Sequence, residues 1–197
     1  MSAYVVPIKD KEKIEQIKSL LIQKNYRDYV IFTLAINYGR RITDILEMRV
    51  SDVRDENGFI RKHFSVCENK TGKSIQIAVN QEVKEMLLLY CRDKLDGEWL
   101  FPSKKKNSKS YACDCMRQIP VGRVQVWDAI SSAAEECGVE NVGTHSLRKT
   151  FGYHLYKQTG DIALVQKIFG HRTQLDTLRY IGLEQEYIDE ATTALVL

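Results

Sequence analysis

The sequence predicts a mainly α-helical domain with one small antiparallel β-sheet, an α+β fold. Apolar residues recur at helical spacing through most of the 197-residue chain. Only one pair of segments alternates in the manner of β-strands. The chain carries three prolines and shows no internal repeat, low-complexity segment or linker. We therefore expect a single domain over 1–197 with a sizeable core.

The first half of the chain predicts three helices, a hairpin and a fourth helix. Ile14, Ile17, Leu20 and Leu21 share one face of a helix over 10–24, and helices over 26–38 and 43–48 follow, with Gly39 ending the second. The segments 59–67 and 73–79 alternate around Asn69-Lys70-Thr71-Gly72, which indicates a hairpin. Asn80 is placed to cap a helix over 81–95.

The second half predicts an irregular stretch and then five helices. Residues 99–119, which include a run of lysines, show no regular period. Thr144 and Asp161 are suited to cap two of the helices that follow, and glycines end three of them. The predicted helices are 121–137, 145–158, 162–169, 173–181 and 184–195.

Composition narrows the classes of function. A net charge of +3 permits nucleic-acid binding without demanding it. The lysines at 104–106 and 109 either form a solvated loop or contact phosphates. No stretch of 18 apolar residues and no signal peptide occurs. The five cysteines form neither a disulfide framework nor a zinc motif, so we expect free thiols in a reducing compartment and no metal.

The most informative segment is the last third of the chain. His145 and Arg148 share a face near the start of a predicted helix, where backbone N–H groups favour an anion. His171 and Tyr180 follow. A lone His-x-x-Arg pair is most often a surface pair. Together, two imidazoles, a guanidinium and a phenol form a set that can attack a phosphodiester without a metal.

These motifs resemble the catalytic domain of the tyrosine recombinases, the phage-integrase family. Six positions are filled in the family's order over about residues 10–183, which implies that family's DNA breaking-rejoining fold. The matching segments are Gly39-Arg40-Arg41-Ile42-Thr43-Asp44-Ile45, Asn69-Lys70-Thr71-Gly72-Lys73, His145-Ser-Leu-Arg148, Phe169-Gly170-His171 and Thr177-Leu-Arg-Tyr180.

The resemblance implies a role for each of the six residues. Arg41 and Arg148 would bind the non-bridging phosphate oxygens. Tyr180 would attack phosphorus, with His145 as base or proton acceptor and His171 hydrogen-bonded to the phosphate. Lys70 would protonate the leaving 5′-oxygen. The implied product is a 3′-phosphotyrosyl DNA, and neither ATP, a divalent metal nor any other cofactor is implied.

Each assignment has a neighbour that competes with it. Arg40 adjoins Arg41, Lys73 lies three residues after Lys70 in the same predicted hairpin, and Tyr187 follows Tyr180. The register of the motifs favours Arg41, Lys70 and Tyr180, and Asp44 is expected to orient Arg41. Gln174 and Thr177 have no assigned role. The residues considered for contact with DNA are Arg40, Lys73, Lys104, Lys105, Lys106, Arg123, Gln125, Lys149 and Arg172.

The resemblance also sets expectations for organisation and partners. The N-terminal core-binding domain of many members has no counterpart here, so the chain is either a fragment or a short member, similar in size to fimbrial phase-variation recombinases. The tail 184–197 packs on its own domain or on a neighbouring subunit. We expect a cytoplasmic, nucleoid-associated protein of bacterial or phage origin, monomeric or weakly oligomeric when free and tetrameric on double-stranded DNA, with accessory DNA-bending proteins and no membrane.

Three functions are compatible with these residues. The first is a site-specific recombinase that integrates, excises or inverts a mobile element or phase switch. The second is a non-catalytic DNA-binding regulator with the same fold, which has no need to retain all six positions. The third is a nicking-closing enzyme resembling type IB topoisomerases, which would act as a monomer.

Overall fold

A computed structural model describes residues 5–67, 74–106 and 118–193. Within these ranges the predicted mainly helical fold is confirmed. The helices are α1 (Lys11–Lys24), α2 (Tyr26–Tyr38), α3 (Ile42–Leu46), α4 (Val50–Val53), α5 (Gln81–Tyr90), α6 (Arg123–Glu136), α7 (Thr144–Thr159), α8 (Ile162–Phe169), α9 (Gln174–Ile181) and α10 (Glu184–Thr193). The strands are β1 (His63–Cys67), β2 (Ser74–Ala78), β3 (Pro102–Lys106) and β4 (Gln118–Pro120).

The central helix α2 is apolar on most sides because other helices surround it. It packs against α1, α3, α5, α6 and α7. Asn25 caps its first turn by accepting a hydrogen bond from the N–H of Arg27. Gly39 ends it in the left-handed conformation, with φ of 59°. A Cβ at Gly39 would lie 2.2 Å from the Phe151 ring, so glycine is required there for space as well as for conformation.

The predicted hairpin is confirmed in its two strands. β1 and β2 are antiparallel, with Phe64 opposite Ile77 and Cys67 opposite Ser74. The first strand begins at His63 rather than at residue 59. The turn that contains Lys70 lies outside the described residues.

Two paired strands lie at the described ends of the stretch predicted to be irregular, so the described residues form two small sheets. β3 and β4 pair antiparallel, with Pro102 opposite Pro120. The Trp99 indole N–H also donates to the carbonyl of Gln118 at 3.0 Å. The lysine run therefore begins within a strand. A run of one residue type has no alternation, and the partner that makes it a strand lies more than ten residues away.

Helix α5 ends at Tyr90 and not at the predicted residue 95. Arg54 explains the early end, because its guanidinium donates to the carbonyls of Cys91 and Lys94 at 2.8 and 2.6 Å. Those carbonyls are thereby satisfied outside a helix. The short helix α4 was not predicted. Helix α7 is capped by Gly143 and not by Thr144, and the Ser146 hydroxyl accepts the N–H of Gly143 at 3.0 Å.

A separate apolar cluster supports the C-terminal helices. Its buried members are Val165, Phe169, Leu178, Ile181 and Leu183, and Tyr180 packs against them. Gly152 lies where α7 approaches this cluster. No helix among the described residues is long and apolar enough to cross a membrane.

We predict that Gly152→Ala destabilises this cluster. The added Cβ would lie 2.7 Å from both Ile181 Cγ2 and Phe169 Cζ, so packed core atoms must move. Two contacts this short with packed core atoms place the overpacking cost in the upper part of its range, at about 2–3 kcal/mol, against a gain in helix propensity of about 1 kcal/mol. The free energy of unfolding in urea should fall by a net ~1–2 kcal/mol.

Gly97→Ala is the matched control, because nothing lies within 4 Å of its added Cβ. Its free energy of unfolding should change by less than about 0.5–1 kcal/mol. Equal stability of the Gly152→Ala variant and the parent chain would contradict the packing described above.

Candidate active site

Four parts of the fold bring the predicted site residues together. Arg41 lies at the junction of α2 and α3, while His145 and Arg148 lie in the first turns of α7. His171 follows the glycine that ends α8, and Tyr180 lies on α9. Lys70 and its alternative Lys73 lie outside the described residues.

Arg148 is the most constrained side chain of the site. Its guanidinium is buried and donates to the carbonyl of Gly39 at 2.8 Å and to that of Phe169 at 2.9 Å. It also lies 4.4 Å from the centroid of the Phe169 ring. Burial lowers the pKa of Arg148 from its ordinary value, and Arg41 and Arg40 lower it further. A guanidinium has five N–H donors, so some remain for an anion after the two carbonyls are satisfied.

Arg40 and Arg41 differ in accessibility. Arg40 is 6% exposed and lines a cavity of about 270 Å³ that Asp44 and Phe64 also line. Arg41 is exposed, and its charge acts on His145, Arg148 and Tyr180. Arg41 is thus the more accessible of the two, and its role as the anion-binding arginine stays a prediction.

Asp44 shares the turn that carries Arg41. Its backbone N–H donates to the carbonyl of Arg41 at 3.0 Å, and its carboxylate acts on Arg148. The role of the Asp44 side chain in orienting Arg41 stays a prediction.

His145 is surrounded by positive charge. Desolvation lowers its pKa from the ordinary 6.5, and Arg123 lowers it further, followed by Arg148, Lys149 and Arg41. The imidazole is accordingly neutral at pH 7. A neutral imidazole can accept a proton, which is the chemistry a phenol nucleophile requires nearby.

Tyr180 is held by aromatic contacts and by Arg148. Its ring meets Phe169 edge to face at 5.6 Å between centroids, and His171 at 5.1 Å. Burial raises the pKa of the phenol, while the charge of Arg148, that of Arg41 and a hydrogen bond from Arg148 oppose the rise. The phenol is thus protonated at pH 7. By contrast, the alternative Tyr187 lies on α10 with 47% of its surface exposed.

His171 is fixed by its backbone and its ring. Its N–H donates to the carbonyl of Gln166 at 3.2 Å, and the Gln166 amide donates back to the carbonyl of His171 at 3.2 Å. Its Nδ1 lies 3.2 Å from the hydroxyl oxygen of Thr177. The imidazole therefore has a defined orientation beside Tyr180.

Two residues considered for DNA contact are corrected by the structure. Lys149 is 7% exposed, donates to the carbonyl of Val5 at 2.6 Å, and lies 5.4 Å from the centroid of the Tyr180 ring. Arg40 is buried as described above. Helix period alone did not separate Lys149 from a surface lysine, because the segment that covers it begins more than 140 residues earlier in the chain.

The other residues considered for DNA contact lie elsewhere. Lys105 and Lys106 belong to β3, while Lys73 falls outside the described residues. Of the residues considered for DNA contact, those exposed on the described surface are Lys104, Arg123, Gln125 and Arg172.

Phe169 and Thr177 were not predicted as parts of the site. Phe169 contacts the guanidinium of Arg148 and the rings of His171 and Tyr180. The sequence signal that could have placed Phe169 in the site is its position directly before Gly170 and His171. Thr177 opens the segment that carries Tyr180, but no sequence pattern assigns a role to it.

The model of the phage integrase family matches residues 9–186. The probable integrase/recombinase YoeC of Bacillus subtilis is 38% identical over 182 residues, which covers 92% of each protein. Two solved structures share the fold. The crystal structure of XerA recombinase has a TM-score of 0.70 and 20% identity, and the match covers 98% of this chain and 65% of that one.

The second structure is XerH site-specific recombinase bound to a palindromic difH substrate, in a post-cleavage complex. It has a TM-score of 0.66 and 18% identity, and the match covers 97% of this chain and 54% of that one. The chain thus spans about two thirds of the XerA structure and half of the XerH structure.

We predict that His145 titrates below pH 6.5 and that Arg123 contributes to this shift. Removing the Arg123 charge removes one source of repulsion on the imidazolium, so Arg123→Gln should raise the pKa of His145. An NMR titration of the His145 ring protons measures both values.

Arg92→Gln is the control, because Arg92 is exposed and is not among the cations that act on His145. It should leave the titration unchanged. A His145 midpoint at or above 6.5 in the parent chain would contradict the electrostatic account.

Proposed function

The chain belongs to the phage integrase family, and on that premise we propose that it is a site-specific DNA recombinase with Tyr180 as nucleophile. It would cleave and rejoin double-stranded DNA to integrate, excise or invert a DNA element. One observation carries the proposal: the Tyr180 ring lies against His171, and the charge of the buried Arg148 guanidinium acts on its phenol. A half-buried phenol beside the charge of a buried guanidinium is a suitable arrangement for a nucleophile at an anion-binding site.

The proposed cleavage step exchanges one phosphorus–oxygen bond for another and moves two protons. The Tyr180 hydroxyl oxygen forms a bond to phosphorus while the bond from phosphorus to the 5′-oxygen breaks. His145 accepts the phenol proton, and Lys70 donates a proton to the leaving 5′-oxygen. Arg41 and Arg148 stabilise the charge on the non-bridging oxygens. The phosphodiester energy is kept in the 3′-phosphotyrosyl bond, so rejoining needs no further energy source.

The exposed cations support double-stranded DNA as the partner. Arg123 lies close enough to His145 to affect its pKa, and Arg172 directly follows His171. Cations that flank a phosphate-binding centre can neutralise the neighbouring phosphates of a duplex. We assign Lys104, Arg123, Gln125 and Arg172 to this contact surface.

The C-terminal helix supports assembly on DNA. α10 packs on α9, yet Tyr187 and Ile188 on α10 remain 47% and 44% exposed. We assign this face to docking on a neighbouring subunit in a tetramer. A protein-bridged DNA synapse distinguishes this assembly from a monomeric nicking-closing enzyme, which uses the same chemistry on one duplex.

We predict that Tyr180→Phe abolishes the covalent protein–DNA adduct and keeps DNA binding. Only the attacking oxygen is lost, while the ring contacts with Phe169 and His171 remain. The assay is incubation with labelled, nicked DNA that carries the candidate recombination site, in EDTA, followed by a detergent quench. Binding is followed separately by gel shift.

Tyr187→Phe is the matched control, because it removes only the hydroxyl of the alternative nucleophile and keeps its ring on the α10 face, and it should form the adduct at the parent rate. An adduct that persists in Tyr180→Phe would contradict the nucleophile assignment. Intact DNA binding without an adduct in the parent chain would favour the regulator.

We predict that Lys70→Ala slows cleavage because the leaving 5′-oxygen lacks its proton donor, and that Lys73→Ala does not. When sulfur replaces the bridging 5′-oxygen of the substrate, the 5′ end departs as a thiolate, and this leaving group needs no proton. Cleavage of that substrate by Lys70→Ala should approach the parent rate. An equal defect on both substrates would contradict the role of Lys70 as general acid.

A further inference from the structure

A hydrogen-bonded chain runs from helix α9 to the imidazole of His171. The Thr177 hydroxyl lies 3.0 Å from the carbonyl oxygen of Thr173, one turn earlier in the chain. The same hydroxyl lies 3.2 Å from Nδ1 of His171. Thr177 is 0% exposed, so water cannot take the place of its hydroxyl.

The direction of each hydrogen bond follows from counting hydrogens. A carbonyl oxygen carries none, and two oxygens 3.0 Å apart with no hydrogen between them would repel each other. The single hydrogen of the Thr177 hydroxyl therefore points to Thr173, which is a common arrangement for threonine in a helix. The hydroxyl oxygen can then only accept from His171, and Nδ1 must carry a hydrogen.

We propose that Thr177 is a positioning residue that holds the hydrogen of His171 on Nδ1 and fixes the plane of its ring. This inference rests on the proposed function, in which His171 contacts the scissile phosphate. Nε2 is then the ring nitrogen that acts on the phosphate, and it donates a hydrogen bond only from the imidazolium. A histidine without this contact could place its hydrogen on either nitrogen.

The position of Thr177 suits this role. It lies three residues before Tyr180 on the same helix, so one short helix carries both the nucleophile and the contact that orients His171. Thr173 caps that helix by accepting the N–H of Asp176 at 3.0 Å. The orientation of His171 is therefore coupled to the folding of α9, and both are set before DNA arrives.

The first test is the ring tautomer, which requires no DNA. Long-range ¹H–¹⁵N spectra at a pH where the four histidines are neutral report which ring nitrogen carries the hydrogen. Comparison with His171→Gln assigns the signals. We expect the Nδ1–H form in the parent chain and in Thr177→Ser, and a shift toward Nε2–H in Thr177→Val.

Thr192→Val is the matched control, because the Thr192 hydroxyl also donates to the carbonyl four residues earlier and bonds to no histidine within the part of the chain that the structure describes. It should leave the His171 signals unchanged. An Nε2–H ring in the parent chain, or an unchanged tautomer in Thr177→Val, would overturn the proposal.

The second test is the rate of adduct formation. Loss of orientation should slow cleavage by Thr177→Val about 10- to 100-fold, with DNA affinity unchanged and Thr177→Ser near the parent rate. A parent-like rate in Thr177→Val would overturn the positioning role. If the parent chain forms no adduct, the proposed function fails, and the tautomer spectra still decide the Thr177 assignment.

Discussion

The two hydrogen bonds from Arg148 to backbone carbonyls are the constraint on which the site depends. They join the ends of α2 and α8 to α7, because Gly39 and Phe169 are the residues at those two ends. Losing the guanidinium would leave the carbonyls of Gly39 and Phe169 without this donor. The same side chain thus organises the fold around the site and supplies positive charge to it, so its structural and chemical contributions are not separable by deletion alone.

Concentrated positive charge is the cost of this arrangement. Four cations in the described part of the chain lower the pKa of His145, and the charges of Arg41 and Arg40 also lower the pKa of Arg148. Such repulsion opposes folding and is relieved when an anion binds. The apolar cluster under α9 offsets part of it by fixing Phe169, which in turn contacts Arg148 and Tyr180. The packing of this cluster is therefore tied to the electrostatics of the site.

Local signals in the sequence predicted most of the helices. Asn80 and Asp161 cap α5 and α8 as expected, and Gly39 and Gly170 end α2 and α8. The errors have distant causes. Arg54 ends α5 from 37 residues away, and β3 becomes a strand only by pairing with β4. Motif spacing likewise selected His145, Arg148, His171 and Tyr180, which the structure brings near one another. The burial of Lys149 depends instead on the segment at Val5.

The two histidines of the site show what a motif cannot specify. Both are imidazoles with the same intrinsic pKa, yet the proposed chemistry needs His145 to accept a proton as a neutral ring and His171 to donate a hydrogen bond from Nε2 as an imidazolium. Cations around His145 favour its neutral form, which makes it the acceptor. A single hydroxyl beside His171 fixes where that ring carries its hydrogen. Their different roles are set by neighbours, one electrostatic and one through a hydrogen bond. A change at Arg123 or Thr177 can therefore alter the chemistry without touching any of the six motif positions.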